Sequence, residues 1–284
     1  MYSLSDRFFC SGYLWKAVAA FGRAAESCGL NLKPPPLQVT EYKLSTTRWP
    51  QHYEPLKVAI ASDFHVGCLT ASPDAVENVV SRINALQPDL ILLPGDFLNS
   101  PYGHDGVYIE PEIVGDIFGK LQAPCGVHAV LGNHDIYEDP QGLHDSLRKN
   151  GINVMYNKSV IVRKEESEFV VVGVGDYTTG HQNCVSAFSG ISGVHPVIAM
   201  AHNPMSSHDM PEGIVASVSG HTHAKQFKVP GIKQPTLRCP DEGLAYGMVQ
   251  KNANPVIVTS GIGTSLVPYR NVAPEIVLLT VEPK

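Results

Sequence analysis

Five short motifs of Asp, Asn and His residues contain enough metal ligands for a hydrolytic site. They are Asp63-Phe64-His65, Gly95-Asp96, Gly132-Asn133-His134-Asp135, His202 and Gly220-His221-Thr222-His223. Carboxylate, carboxamide and imidazole groups suit Mn, Fe, Zn or Co better than they suit thiolate-seeking ions. Two such ions, bridged by a carboxylate, activate water and stabilise the charge that develops on a phosphate. The motifs therefore predict a two-metal site that hydrolyses a phosphate ester or anhydride.

Strands and crossover helices are predicted to position the first three motifs. Apolar runs at Lys57–Ala61, Leu90–Leu93 and Val127–Leu131 read as buried strands, and each ends at a motif. Amphipathic helices are predicted from Ala75 to Leu86 and from Ile113 to Leu121. This alternation predicts a mainly parallel sheet, whose ligand site lies beyond the carboxyl ends of its strands.

The second half of the chain has short β-rich runs with few helices between them. The runs lie at 160–162, 169–174, 197–201, 215–219, 227–229, 256–260 and 276–281. We expect them to form a more antiparallel sheet. Two sheets packed face to face, with helices outside, is the architecture that accommodates both halves.

In type and order the five motifs resemble those of the calcineurin-like metallophosphoesterase superfamily, over roughly residues 56–284. Two C-terminal segments, Ser260–Thr264 and Pro268-Tyr269-Arg270, resemble the end of the sequences in one bacterial branch of the superfamily. This branch includes membrane-associated phosphohydrolases. The resemblance implies an α/β fold, a two-sheet β-sandwich flanked by helices in four αββα layers. It also implies an enzyme, a phosphodiesterase in which a hydroxide held between two metals attacks phosphorus.

The resemblance also implies a role for each motif residue. Asp63, His65 and His223 would hold one metal, Asn133, His202 and His221 the other, and Asp96 would bridge them. His134 would protonate the leaving group, and with Asp63 it forms the predicted catalytic pair. Asn133, His134 and Arg270 are the predicted substrate contacts, although Arg270 is equally well explained as a surface loop arginine. The implied cofactors are two divalent ions, Mn²⁺ first, with Fe, Zn, Co or Mg as alternatives.

Other functions remain open on the sequence alone. Relatives in the bacterial branch cleave the pyrophosphate of UDP-2,3-diacylglucosamine in lipid A synthesis, and a non-catalytic binding module could share the fold. A nuclease is disfavoured, because the net charge is −6 and no run of Lys or Arg is present to hold a nucleic-acid backbone. The expected partner is a small phosphate-containing molecule.

The chain is predicted to have an N-terminal helical segment and Pro-rich connector at residues 1–36 and one metallophosphoesterase domain at residues 37–284. No apolar run approaches the roughly 20 residues of a membrane span, and no signal peptide is evident. The six cysteines form no Cys-x-x-Cys pair, which favours free thiols and a cytoplasmic location. The first segment fits either a helix packed on the body or a partner, or an interfacial helix that makes the protein peripheral to a membrane.

Overall fold

The computed structural model describes residues 35–99, 106–225, 241–264, 270 and 272–284. Two six-stranded sheets dominate this part of the chain. Their strands are β1 (Gln38–Thr46), β2 (Leu56–Ile60), β3 (Leu90–Leu93), β4 (Val127–Ala129), β5 (Asn153–Val154), β6 (Lys158–Lys164), β7 (Ser167–Val174), β8 (Val197–Ala201), β9 (Ala216–Ser219), β10 (Gly247–Lys251), β11 (Asn254–Val258) and β12 (Glu275–Pro283).

The first sheet has the strand order β1-β12-β2-β3-β4-β5. Strands β2 to β5 pair in parallel, as predicted, while β12 runs antiparallel to β2 and parallel to β1. Ser72 caps the first crossover helix by accepting a hydrogen bond from the Ala75 N–H, and Pro73 supplies a preset φ at its first position. The helices around this sheet are α1 (Pro73–Ala85), α2 (Pro111–Phe118), α3 (Asn133–Glu138) and α4 (Pro140–Lys149).

The second sheet has the order β10-β11-β9-β8-β7-β6, and the prediction of a more antiparallel sheet holds only at its two edges. Its inner pairs, β7–β8, β8–β9 and β9–β11, are parallel, and only the two edge pairs are antiparallel. The helices in its crossovers are very short: α5 (Cys184–Ala187) before β8 and a 3₁₀ turn (Pro204–His208) before β9. Elements of four and five residues are too short to show a helical period in the sequence.

Alternating side chains of the buried strands divide the core into layers. In β3, Leu90 and Leu92 pack between the two sheets, whereas Ile91 and Leu93 face α1, α2 and α4. In β7, odd-numbered residues such as Phe169 pack between the sheets, and even-numbered ones pack under α5. Because strand side chains point alternately to opposite faces, each inner strand is apolar on both sides. The predicted two-sheet sandwich flanked by helices is confirmed.

Part of the sequence prediction falls outside the described residues. Residues 1–34, which include most of the predicted N-terminal helical segment, lie there, as does the strand predicted at 227–229. Among the described residues, no helix has both the length and the apolar character needed to cross a bilayer.

Candidate metal centre

The five motifs meet where the carboxyl ends of strands from both sheets converge. Asp63, Asp96 and Asn133 follow β2, β3 and β4 of the first sheet, each within a few residues of the strand end. His202 and His221 follow β8 and β9 of the second sheet in the same way. The site therefore lies across the edge of the sandwich, and each sheet contributes one side of it.

Three combinations of these side chains place potential ligand atoms within 4.8 Å of one another. They are Asp63 with His65 and His223, His65 with Asp96 and His134, and Asp96 with His202 and His221. Asp96 and His65 each belong to two of the combinations. Asp96 Oδ2 lies 3.7 Å from His65 Nε2 and 3.2 Å from His202 Nε2, so the Asp96 carboxylate lies between two groups of potential ligands. All of these side chains are buried except His134, which is partly exposed.

The distances between ligand atoms match those around a bound divalent ion. The Nε2 atoms of His65 and His223 are 3.2 Å apart, and His223 Nε2 is 3.3 Å from Asp63 Oδ1. His202 Nε2 lies 3.2 Å from Asp96 Oδ2. Nitrogen and oxygen ligands at about 2.1 Å from a tetrahedral ion are about 3.4 Å from each other. The residues present therefore fit the divalent ions predicted from the motifs.

The positions of the two ring nitrogens of His202 explain why a cation would be stabilised in this cluster. Its Nδ1 lies 2.7 Å from the Pro94 carbonyl oxygen, which can only accept, so Nδ1 carries the proton. In the neutral ring Nε2 then presents a lone pair to Asp96 Oδ2, and to His221 Nδ1 at 3.1 Å. Electron pairs that face each other in a buried site need a proton or a metal ion between them.

The pKa values of His202, Asp96 and Asp63 show that the cluster favours positive charge. Burial lowers the pKa of His202, but the Asp96 carboxylate outweighs burial and raises it to about 10. Burial raises the pKa of Asp96, yet the imidazoles of His202, His134 and His65 together hold it well below its ordinary value. The pKa of Asp63 is lowered by His223 and His202 against the effect of burial. Two buried carboxylates thus stay charged and attract cations to the cluster.

Several cluster residues adopt a backbone conformation that is unfavourable for their type. The left-handed φ angles are 53° at Asp63, 44° at His65, 57° at Asp96, 69° at His221 and 50° at His223. A non-glycine residue in this region costs on the order of 1–3 kcal/mol and persists where the surroundings enforce it. Such strain concentrated in one cluster is typical of a functional site.

Glycines next to the cluster make room for the carboxylates. A Cβ at Gly132 would lie 2.2 Å from Asp96 Oδ1, and one at Gly220 would lie 2.2 Å from Asp63 Oδ2. Gly261, in the C-terminal half of the chain, has a left-handed φ of 71°, and a Cβ there would lie 2.7 Å from the Cβ of Asp63.

Asp135 shapes the loop that carries Asp96. Its two carboxylate oxygens accept hydrogen bonds of 2.8–2.9 Å from four backbone N–H groups. Burial, then the nearby Asp96, raises the pKa of Asp135 to about 7, although these donors favour its charged form. The donors are the N–H groups of Asp96, Phe97, Leu98 and Gly132.

His134 lies at the partly exposed edge of the cluster. Its backbone N–H donates to Asp96 Oδ1 at 2.9 Å, and its ring meets the His65 ring edge-on with centroids 4.8 Å apart. Because the main chain makes the contact with Asp96, the ring is oriented independently of that bond. The ring thus reaches the cluster from the side that solvent and substrate approach.

The predicted substrate contact of Arg270 is not supported, because its guanidinium is already fully used. The side chain is 1% exposed and donates to six backbone carbonyls at 2.7–3.4 Å, which occupies all of its nitrogens. Nor is it a surface loop arginine. The carbonyls belong to Ser260, Gly261, Ile262, Gly263, Val272 and Ala273.

Arg270 instead fixes a loop that supports Asp63. Within this loop the Gly263 N–H donates to the Asp63 carbonyl at 2.7 Å, and the Ile262 N–H donates to the Ser62 carbonyl at 3.0 Å. Arg270 therefore acts on the metal centre through the backbone of residues 260–263.

Two residues near the site were not predicted from the sequence. Ser62 donates its hydroxyl proton to Asp63 Oδ2, and Asp176 is fully buried beyond the end of β7. Asp176 follows a predicted strand and a glycine, which is the same context as Gly95-Asp96, so a signal was available. Ser62 gave none, because a serine beside an aspartate is common.

The comparison with known families agrees with this geometry. Residues 56–225 match the family model described as calcineurin-like phosphoesterase. The chain belongs to this family. The matched range contains every residue of the three ligand combinations. The predicted class, a metallophosphoesterase that hydrolyses phosphate esters, is confirmed.

Bacterial relatives are similar to this chain over most of its length. YkuE of Bacillus subtilis, an uncharacterized metallophosphoesterase, is 26% identical over 99% of this chain and 99% of the relative. Phosphodiesterase YaeI of Escherichia coli is 26% identical over 79% and 82%. UDP-2,3-diacylglucosamine pyrophosphatase LpxG of Chlamydia trachomatis is 26% identical over 72% and 74%.

Proposed function

We propose that the protein is a dinuclear metal-dependent phosphodiesterase. The observation that carries this proposal is the position of Asp96 in a buried cluster, because its Oδ2 lies 3.7 Å from His65 Nε2 in one set of ligands and 3.2 Å from His202 Nε2 in the other. A single structural ion would need only one closed set of four ligands. Two sets that share a carboxylate match the arrangement that hydrolyses phosphate esters.

In this proposal Asp63, His65 and His223 hold one ion, and Asp96 bridges it to the second. Asn133, His202 and His221 complete the second site. Two divalent ions bound there would supply Lewis acidity and lower the pKa of a water molecule. We propose Mn²⁺ as the preferred metal, since the ligands are all nitrogen and oxygen.

Three residues of the chain have further roles in the proposed reaction. Asn133, whose Oδ1 lies 3.2 Å from His202 Nε2, orients a phosphate oxygen at the metal side. His134, at the exposed edge, donates a proton to the leaving oxygen, which makes departure of an alcohol easier. The Pro94 carbonyl keeps the proton of His202 on Nδ1, so that Nε2 stays available.

A substrate panel with the metal-loaded protein tests the proposal. Bis(4-nitrophenyl) phosphate, 4-nitrophenyl phosphate and a nucleotide-diphosphate sugar would be assayed with Mn²⁺ and after chelation. We expect the diester to have the highest kcat/KM and chelation to abolish turnover. The relative LpxG is named a pyrophosphatase, and preferred cleavage of the diphosphate would reassign the substrate class. A metal-loaded chain with no turnover on any substrate would favour a binding module.

A further inference from the structure

A cavity of about 180 Å³ borders the metal centre and has no part in the proposal above. It is called the Asp176 cavity here. Most of its wall is apolar, and its mouth is formed by the half-exposed ring of Tyr156 and the exposed side chain of His181, whose centroids are 6.1 Å apart. The lining residues are Leu131, Ile136, Pro140, Met155, Tyr156, Gly175, Asp176 and His181.

Two residues that line the cavity are close in sequence to the proposed catalytic residues. Leu131 comes directly before the Gly132-Asn133 turn, and Ile136 lies in α3, the helix that also carries His134. The charges of His202 and Asp96 both act on the Asp176 carboxyl. A phosphate ester bound at the metal centre can therefore extend its organic group into this cavity.

Asp176 places one unused polar atom in the apolar wall. The residue is 0% exposed, and its Oδ1 has no hydrogen-bond partner among the described residues. Its Oδ2 accepts from the Thr179 N–H at 2.8 Å. A buried oxygen without a partner costs free energy that a ligand with a suitable donor recovers. Burial raises the pKa of Asp176, and a hydroxyl, which both donates and accepts, pairs with either form of the carboxyl.

The loop that carries Asp176 is fixed before any ligand binds. Asn157 accepts from the Gly175 N–H and donates to the His181 carbonyl, both at 2.8 Å. Thr179 Oγ1 lies 2.7 Å from His181 Nδ1. A binding group held in place by such bonds loses little entropy on binding, so it favours selective recognition.

We propose that the Asp176 cavity binds the organic group of the phosphate ester and selects a small uncharged ring that carries a hydroxyl or N–H group. The volume supports this choice, because an apolar protein cavity of about 150 Å³ holds benzene. Met155 adapts to the face of a ring, and Asp176 receives the donor at its edge. The inference rests on the proposed phosphodiesterase activity, and it adds the class of group that the ester carries.

Phenol and toluene test the cavity directly, since they differ only by a hydroxyl in place of a methyl. The full chain, labelled at its methionine methyl groups with ¹³C and loaded with diamagnetic Zn²⁺, would be titrated with each. The Met155 signal is assigned from Met155→Leu. We expect phenol to shift this signal with about tenfold higher affinity than toluene, as one hydrogen bond to a buried carboxyl provides. Equal affinities would overturn the proposal.

Three variants test whether Asp176 and the cavity are responsible for the preference for phenol. Asp176→Leu should remove the preference for phenol while toluene still binds, and the exposed Asp145→Asn should leave it unchanged. If Asp176→Leu does not fold, Leu131→Phe should weaken both ligands by filling the cavity. An unchanged preference in Asp176→Leu, or unchanged binding in Leu131→Phe, would contradict the assignment.

Inhibition kinetics connect the cavity to turnover. Phenol should compete with bis(4-nitrophenyl) phosphate in the wild-type protein. Non-competitive inhibition would place the cavity outside the substrate site and overturn the inference. A phenol preference in the spectra of a protein with no turnover would instead refute the proposed function and leave the cavity as a binding site.

Discussion

At the scale of single residues, the candidate metal centre is a buried cluster of imidazoles and carboxylates that attracts positive charge. His202 Nε2 lies 3.2 Å from Asp96 Oδ2. Burial lowers the pKa of His202, but the Asp96 carboxylate outweighs burial and raises it to about 10. A bound metal ion would compete with the proton for the same atoms.

The first prediction concerns Asp96, whose carboxylate lies between His65 and His202. Asp96→Asn keeps the shape of the side chain but removes its charge, so we expect the loss of at least one metal per chain and of most activity. Elemental analysis of the purified protein measures this, with Asp145→Asn as the control for an exposed aspartate. Retention of two metals by Asp96→Asn would exclude a bridging role.

The second prediction tests whether His134 acts as a general acid rather than as a metal ligand. His134→Ala keeps the backbone bond to Asp96, so the turn at the start of α3 is preserved. We expect full metal content and a fall in kcat of about 100-fold or more on the diester, the usual contribution of a general acid. His144→Ala, which removes a partly exposed histidine of α4, is the matched control. Loss of metal from His134→Ala would show that this residue is a ligand, as its nearness to His65 and Asp96 allows.

At the scale of elements, the site depends on tight turns after strands and on loops that hold them. Asp63 and Asp96 sit in left-handed turns after β2 and β3. Asp135 braces the second turn with four backbone hydrogen bonds, and Arg270 holds the loop that braces the first. Such supports offset the conformational cost of the turns.

The third prediction follows from the buried position of Arg270. Arg270→Ala leaves up to six carbonyls without their donor, so we expect the free energy of unfolding to fall by about 3 kcal/mol or more. Urea unfolding in the presence of a chelator measures this without a contribution from metal. Arg163→Ala is the control, because Arg163 is 76% exposed and its ion pair with Glu168 contributes little. A rise in KM without a loss of stability would instead restore the substrate contact predicted from the sequence.

At the scale of the whole molecule, the metal centre connects the two sheets. Asp63, Asp96 and Asn133 extend from the first sheet, and His202 and His221 extend from the second. An ion held by residues of both sheets stabilises the packed sandwich relative to the unfolded chain. The cluster therefore links metal binding to the stability of the fold.

The fourth prediction is that divalent metal raises the melting temperature. At a free metal concentration about 100 times Kd, linkage contributes about 2.7 kcal/mol, which corresponds to roughly 5–10 °C for a chain of this size. Differential scanning calorimetry with Mn²⁺ and with chelator measures the shift. His134→Ala should keep most of it and Asp96→Asn should lose most of it. An equal shift in Asp96→Asn would mean that the ions bind elsewhere.

The sequence by itself predicted the candidate ligands and three parallel strands of the first sheet, β2, β3 and β4. Asp63, Asp96 and Asn133 each follow an apolar run, and parallel strands bring such positions to one edge. Helices long enough to show a period, α1 and α2, were predicted within a few residues of their observed ends. The parallel inner strands of the second sheet were not predicted, because their crossovers contain helices too short to leave a pattern.

Only the tertiary structure decided the roles of Arg270 and Asp176. In the sequence, an arginine in a Gly-rich C-terminal loop fits a phosphate contact as well as it fits a surface loop arginine. The structure decides otherwise, because the loop folds around the buried guanidinium and supplies carbonyls from residues within ten positions of Arg270. Asp176 likewise owes its unpaired oxygen to its burial rather than to its motif. Residue type fixes which chemistry is available, whereas burial and the partners that the folded chain supplies fix whether it is used.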